Sequence, residues 1–174
     1  GEPRWTQDLK KSFGARAPQW GISTSPLVLG DLLLIDVGGR DGASVVALNK
    51  RDGIVRWSAG SDKAGYSMPL PVEVGGVRQV VFFTGTRVQG VDPADGDVFW
   101  EKPWKTSYDV YAAAPVLVPP DKLFISSGYD TGAALFRLTA ADGEARAEEV
   151  WSSRRMKNQF SSSIYLDGHI YGFD

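Results

Sequence analysis

The sequence of 174 residues lacks cysteine and has a single histidine. Without cysteine there is no disulfide framework, no thiolate nucleophile and no cysteine-ligated zinc or iron–sulfur site. This absence does not exclude an oxidising compartment, because many domains of this size fold without disulfides. His169 follows the turn Asp167-Gly168, which favours an exposed turn position over a catalytic triad or a zinc site. We therefore predict no catalytic residue and no metal ligand.

Neither charge nor hydropathy points to a nucleic acid or a membrane. Lys and Arg number 19 and Asp and Glu number 21, for a net charge of −2, which excludes a nucleic-acid binder driven by bulk positive charge. The best apolar stretch, residues 26–38, is interrupted by Asp31 and Asp36 and is shorter than the ~18 residues of a membrane-spanning helix. The first residues resemble no signal peptide and include no initiating Met. We expect a processed or excised chain, whose start says nothing about its compartment.

Long helical segments are also missing, whereas turn residues are abundant. The 20 Gly and 10 Pro are too many for a helical bundle and are typical of a chain that turns often. Three segments share one pattern: an apolar strand, an Asp-Gly turn and a second strand that ends in Trp. They are residues 45–57, 88–100 and 134–151, and their turns recur about every 45 residues.

Each of these segments is preceded by a second hairpin, in which β-branched and aromatic residues flank a Gly, Asp or Pro turn. These hairpins are residues 25–35, 69–83 and 115–125, and a fourth begins at residue 163. Two hairpins per repeat give a four-stranded antiparallel unit, and tandem units of this size are typical of β-propeller blades. We predict an all-β propeller whose blades are approximately residues 24–60, 67–104 and 112–153.

The two ends of the chain look like parts of a blade. Residues 1–5 match the outer strand at residues 53–57, and residues 170–174 match the strand before the Asp-Gly turn. We therefore predict a split blade from residues 161–174 plus 1–8, within a single propeller segment of residues 1–174. Three arrangements remain open: a closed four-bladed ring, a homodimer that completes an eight-bladed ring, and a piece of a longer propeller.

The repeated strand, Asp-Gly turn and Trp resemble the pyrroloquinoline-quinone (PQQ) type of propeller repeat, at residues 48–57, 91–100 and, with longer spacing, 138–151. Segments 20–26, 64–67 and 128–132 look most like uncharacterised bacterial PQQ-like propeller proteins, which are usually exported. The resemblance implies about four blades, half of an eight-bladed ring or a fragment of one. It also implies a periplasmic or extracellular location.

The family further implies structural roles for the repeated residues. The Trp that ends each outer strand docks against the neighbouring blade; these are Trp5, Trp57, Trp100 and Trp151. The glycine of each Asp-Gly turn takes a positive φ; these are Gly53, Gly96 and Gly143.

The loops that enter each blade are the predicted functional surface. In a propeller the innermost strand lines the central channel, and the loop before it opens onto one face. Each such loop here combines an aromatic residue with small or polar ones, which is typical of a ligand or peptide site. The loops are residues 18–21, 64–67, 108–111 and 157–160. The predicted ligand-binding residues are Trp20, Tyr66, Tyr111, Tyr129 and Gln159. The alternative is that these aromatics only plug the channel.

We predict a non-enzymatic scaffold that holds a protein or small ligand at these loops and needs no cofactor. The alternative implied by the resemblance is a quinoprotein dehydrogenase that oxidises an alcohol or sugar with PQQ and calcium. Such enzymes often place a vicinal Cys-Cys ring over the quinone and use Asn on the calcium ion. This chain has no cysteine and two asparagines, Asn49 and Asn158, the first of them in a blade turn. These departures favour the scaffold.

Overall fold

The computed structural model describes all 174 residues, and its one helix is short. Helix α1 (Leu9–Phe13) is capped by Asp8, whose side chain accepts hydrogen bonds from the backbone N–H groups of Lys10 and Lys11. No helix has both the length and the apolar character needed to cross a membrane.

Twelve strands form three four-stranded antiparallel sheets, in which consecutive strands pair with each other. Sheet 1 contains β1 (Leu27–Leu29), β2 (Leu32–Asp36), β3 (Val45–Asn49) and β4 (Val55–Ala59). Sheet 2 contains β5 (Leu70–Val74), β6 (Val77–Phe83), β7 (Arg87–Val91) and β8 (Val98–Pro103). Sheet 3 contains β9 (Val116–Val118), β10 (Lys122–Ser127), β11 (Gly132–Ala141) and β12 (Glu144–Ser153). The all-β fold with four-stranded antiparallel blades is therefore confirmed.

The last two strands, β13 (Ile164–Leu166) and β14 (His169–Tyr171), pair only with each other. This hairpin packs against β9, and its place after an entry loop corresponds to the first two strands of a blade. β14 is therefore a second strand, and not the third strand expected for residues 170–174. Residues 1–8 form no strand and do not pair with β14. The split blade and the three ways of closing the ring stay predictions.

The core lies between neighbouring sheets because the middle strands are buried on both faces. Alternate residues of β6 point in opposite directions. Val80 and Phe82 pack with side chains of sheet 1, whereas Val81 and Phe83 pack with side chains of sheet 3. The four buried apolar residues of β3 alternate in the same way, between sheet 2 and the segment that contains α1. Strands buried on both faces read as continuous apolar runs, as these do.

A β-bulge recurs at the same place in every blade, between the third and fourth strands. It follows the residue that pairs with the blade's Trp: Ala47 with Trp57, Gly90 with Trp100, and Leu135 with Trp151. The three Trp residues therefore occupy equivalent positions in their sheets.

Two of the repeated Trp side chains lie over the Asp-Gly turn of the next blade. The indole Nε1–H of Trp57 donates to the carbonyl of Pro93 at 2.9 Å, and its ring covers Gly96. A Cβ atom at Gly96 would lie 2.5 Å from Trp57 Cε3. Trp5 covers Gly53 of sheet 1 in the same way, at 2.6 Å. The close approach of each ring therefore requires a residue without a side chain.

Trp100 and Trp151 have different surroundings. Trp100 is buried against sheet 3, but its indole N–H donates to Gln79 of its own sheet at 2.6 Å. Trp100 does not reach Gly143. β11 has ten residues whereas β3 and β7 have five, and the longer strand places the Asp-Gly turn of sheet 3 further out. Trp151 is 40% exposed, and its ring lies 6.2 Å from that of Phe124 in the same sheet.

The long β11–β12 hairpin reaches across sheet 2. Ala145 and Ala147 of β12 belong to one apolar cluster with Val72 and Val81 of sheet 2. The hairpin also passes close to the β5–β6 turn, where a Cβ at Gly75 would contact Ala140 at 3.2 Å. It therefore joins the second and third blades beyond their sheet-to-sheet core.

Candidate functional site

The four segments that enter the blades bring aromatic side chains together on one face of the structure. Two hydrogen bonds fix the first pair of segments. The backbone N–H of Trp20 donates to Tyr66 Oη at 3.3 Å, and Thr24 Oγ1 donates to the carbonyl of Ser67 at 2.8 Å. The segments are residues 14–26, 60–69, 104–115 and 154–163.

Four side chains form a continuous aromatic cluster. The ring centroid of Trp20 lies 6.3 Å from that of Tyr66 and 6.2 Å from that of Tyr108. The rings of Tyr108 and Tyr129 are 4.9 Å apart. Neighbouring rings are inclined by between 55° and 75°, which is the tilted or edge-to-face geometry that aromatic pairs prefer. They therefore do not stack face to face and do not cover one another.

Beside this cluster lies an open cavity of about 280 Å³, which we call the aromatic pocket. Its aromatic walls are Trp20, Tyr66 and Phe160, which come from three of the entry segments, and Tyr129, which comes from the β10–β11 turn. Its remaining lining residues are Ser23, Val110 and Ala112. A concave, mostly apolar surface with few polar groups is the usual composition of a small-molecule site.

A second cleft, of about 380 Å³, shares the side chain of Tyr66 with the aromatic pocket. It is polar, and Lys63 Nζ lies 3.0 Å from Asp109 Oδ2 in its wall. Arg16 and Asp62 also line this cleft. The face therefore combines an apolar pocket with an adjoining charged cleft.

Asp62 is buried and is held by hydrogen bonds from Arg87 and Thr84. Arg87 Nε lies 2.8 Å from its Oδ2, Arg87 Nη2 donates to its Oδ1 at 2.9 Å, and Thr84 Oγ1 donates to Oδ2 at 2.7 Å. Arg87 also pairs with Glu101. Partial burial lowers the pKa of Arg87, but the bonds to Glu101 and Asp62 outweigh it and raise the pKa above its ordinary value.

Asp36, at the end of β2, anchors the segment that carries Tyr66. Its Oδ2 accepts a hydrogen bond from the backbone N–H of Gly65 at 2.8 Å. Its Oδ1 has no hydrogen-bond partner, although the residue is only 2% exposed. Burial raises the pKa of Asp36 to about 7; the N–H of Gly65 opposes this rise, and the charge of Asp62 adds to it. An incompletely bonded carboxyl therefore lies directly behind the site.

Two loops at this face contain residues with positive φ angles, which residues other than glycine rarely adopt. The φ angle is 54° at Asp109, 55° at Tyr129 and 58° at Asp130. For a bulky residue such as Tyr, this left-handed conformation costs on the order of 1–3 kcal/mol, and such residues cluster at functional sites. The strained loops hold Tyr108 and Tyr129 side by side.

Three of the five predicted ligand-binding residues come together in the structure. Trp20, Tyr66 and Tyr129 are walls of the aromatic pocket. Gln159 lies against Gly128, in a separate open cleft that it shares with Tyr129. Gln159 is therefore next to the site but does not line the pocket.

Tyr111 is not part of the pocket, and the prediction for it is corrected. It is fully buried, its ring lies 5.0 Å from that of Phe83, and its Oη accepts the N–H of Thr106 at 3.1 Å. Burial raises the pKa of its hydroxyl. Tyr111 fills the core between sheets 2 and 3, whereas Tyr108 of the same loop faces outward. The sequence reasoning missed Tyr108 and Phe160, although the aromatic content of both loops was a usable signal.

Comparison with known proteins identifies the family of this fold. The family model described as outer membrane protein assembly factor BamB matches residues 1–173. The chain belongs to the BamB family. The expected membership of the PQQ-like propeller repeats is thereby confirmed.

Among solved structures, BamB from Moraxella catarrhalis resembles this BamB-family chain with a TM-score of 0.59 and 17% sequence identity. The match covers 90% of this chain and 46% of that chain, so this chain spans about half the length of that BamB. At this identity the likeness shows the fold alone, and it confirms a partial β-propeller. A search of the curated proteins found no significant match.

The enzymatic alternative would need acidic and amide side chains grouped around a calcium ion. No three His, Asp or Glu side chains are grouped so that they could hold a metal ion. Asn49 Oδ1 accepts the backbone N–H of Arg51 in a blade turn. Asn158 is buried, donates to the carbonyl of Phe173 and accepts from the hydroxyl of Ser163. Both asparagines are used in structural hydrogen bonds.

Proposed function

We propose that this protein is a non-enzymatic propeller scaffold outside the cytoplasm, and that it binds a protein or a small ligand in the aromatic pocket. One observation carries the proposal: aromatic side chains from four separate loops surround a single open cavity of about 280 Å³. Convergence of this kind is typical of binding sites, where aromatic anchors contribute much of the affinity.

Two walls of the pocket are open to solvent. Trp20 is 53% exposed and Phe160 is 74% exposed in this partial propeller. Large apolar side chains grouped at an exposed site mark an interaction surface.

The family supports both the scaffold role and the location. Its description is that of an outer membrane protein assembly factor, and the solved relative is a BamB. Neither description names a catalytic activity. A role in assembling outer membrane proteins, which the family's description names, supports a periplasmic location for this chain.

The test uses an uncharged fluorescent probe, N-phenylnaphthylamine, which brightens in apolar surroundings. We expect saturable binding to the full chain and a loss of about tenfold or more in affinity in Trp20→Ala and Phe160→Ala, since each removes an exposed wall. Trp151→Ala is the matched control, because it removes an exposed Trp that is not a wall of the pocket. Unchanged binding in both pocket variants, or equal loss in the control, would contradict the proposal.

A further inference from the structure

We infer that the ligand of the aromatic pocket carries a quaternary ammonium group. The inference rests on the proposed function and adds the chemical class of the ligand to it. Three features of the pocket support it: the arrangement of its rings, its small number of hydrogen-bonding groups, and the absence of positive side chains from its wall.

The rings are arranged as walls rather than as a stack. Two walls of the pocket, Trp20 and Tyr66, are inclined by 55° to each other, and a third, Tyr129, is inclined by 59° to Tyr108 of the adjoining cluster. Inclined rings leave faces free, and the face of an aromatic ring carries negative electrostatic potential. A cation within about 6 Å of a ring centroid is attracted to that face, most strongly to Trp. Recognition of quaternary ammonium groups by several such rings is a general use of this interaction.

Few hydrogen-bonding groups line the pocket. The side-chain hydrogen-bond acceptors in its lining are the hydroxyls of Ser23, Tyr66 and Tyr129, and that of Tyr66 already accepts the N–H of Trp20. A primary ammonium brings three N–H donors and a guanidinium brings five, and they would have to share the three hydroxyls of Ser23, Tyr66 and Tyr129. Burying such donors without partners is costly. A quaternary ammonium has no N–H group, so it loses no hydrogen bond on entering.

No positive charge in the pocket wall opposes a cation, because no Lys or Arg lines the pocket. Asp109 and Asp130 line two neighbouring clefts, each of which shares a tyrosine with the pocket. Both are paired with lysines, Asp109 with Lys63 at 3.0 Å and Asp130 with Lys157 at 3.1 Å. These ion pairs are exposed, and exposed pairs are weak and screened by salt. The pocket wall itself therefore carries no formal charge, and the ion pairs nearby leave little net charge.

Calorimetry with two ligands of the same shape tests the inference. One ligand is choline, and the other is its neutral isostere, in which a carbon atom replaces the nitrogen. A cation–π contribution of about 1–2 kcal/mol predicts that choline binds the full chain roughly tenfold more tightly than the isostere. Equal or tighter binding of the isostere would overturn the inference, yet it would leave the apolar pocket of the proposed function intact. Binding of neither ligand would also overturn it, and the naphthylamine probe then judges the proposed function separately.

Two variants separate the charge effect from simple loss of packing. Trp20→Leu keeps an apolar wall but removes a ring face, so choline should bind about fivefold or more weakly while the isostere changes little. Trp151→Leu removes an exposed ring outside the pocket and should change neither. Parallel loss of both ligands in Trp20→Leu would contradict a cation-specific role for the ring.

The same chemistry could come from a soluble molecule or from a lipid head group, and sedimentation with phosphatidylcholine vesicles distinguishes the two sources. Cosedimentation that choline competes away supports a head group. Choline binding without cosedimentation supports a soluble ligand. If choline does not reduce the cosedimentation and Trp20→Leu still cosediments, the vesicles bind the protein at a surface other than the pocket.

Discussion

Replacing Asp36 with Asn tests the most unusual group in the structure. The carboxyl is buried, and one of its oxygens has no hydrogen-bond partner. Its charged form is therefore penalised in the folded state. Asn has nearly the same shape and keeps an oxygen that can accept the N–H of Gly65, but it cannot ionise. The comparison of the two proteins therefore isolates the cost of ionising this group.

The size of the effect follows from the pKa of Asp36, which is 3.8 ordinarily and about 7 in the folded protein. The folded state holds the proton more tightly than the unfolded state. The resulting stabilisation is fully present below about pH 4 and is lost as the pH rises through about 7. A difference of about 3 in pKa corresponds to about 4 kcal/mol. About 3 kcal/mol of this stabilisation is lost between about pH 5 and about pH 8.5.

The assay is urea unfolding followed by tryptophan fluorescence across this pH range. We expect the free energy of unfolding of Asp36→Asn, measured relative to wild type, to rise by about 3 kcal/mol between about pH 5 and about pH 8.5. Asp97→Asn removes an exposed carboxyl and is the control, for which the difference from wild type should stay flat. If the Asp36→Asn difference also stays constant to within about 0.5 kcal/mol, the carboxyl ionises without cost and the reasoning is refuted.

Two further pairs of variants test the blade contacts by urea unfolding. Gly96 and Gly143 have similar φ angles of 86° and 83°, but only Gly96 meets a Trp ring. Gly143→Ala should cost about 1–2 kcal/mol from backbone strain, and Gly96→Ala about 2 kcal/mol more from the clash with Trp57; equal losses would show that the ring does not constrain the turn. Trp100→Ala should cost about 3–5 kcal/mol and the half-exposed Trp151→Ala about 1–2 kcal/mol, and the reverse order would contradict their burial.

The sequence predicted the blades well because their signals are local. Asp-Gly turns, alternating apolar residues and a Trp at a fixed distance are each set by backbone sterics or by the two-residue period of a strand. The β14 assignment was wrong because a short apolar strand looks the same in the second and third positions of a blade. Only pairing with a neighbour distinguishes these positions, and pairing is not a local property.

The site was harder to predict than the fold. The entry loops were recognisable from their aromatic content, and three of the proposed residues line one pocket. Within a loop, however, no periodicity tells which aromatic side chain faces the core. In residues 104–115 the space between sheets 2 and 3 takes Tyr111 and leaves Tyr108 at the surface. The surroundings of Trp100 likewise depend on the length of β11, a strand of the next blade that lies many residues further along the chain.

The overlap of the β11–β12 hairpin with sheet 2 makes the links between blades unequal. In a repeat protein each module is stabilised mainly by its nearest neighbours, so the strength of each link decides which modules open together. The first and second blades are joined by apolar strand side chains. The second and third are joined by such side chains and also by the β11–β12 hairpin. We expect the amide hydrogens of the second and third blades to exchange as one cooperative unit, with the first blade free to open before them. The aromatic pocket draws its walls from both sides of this division, so a ligand that spans it would tie the two units together.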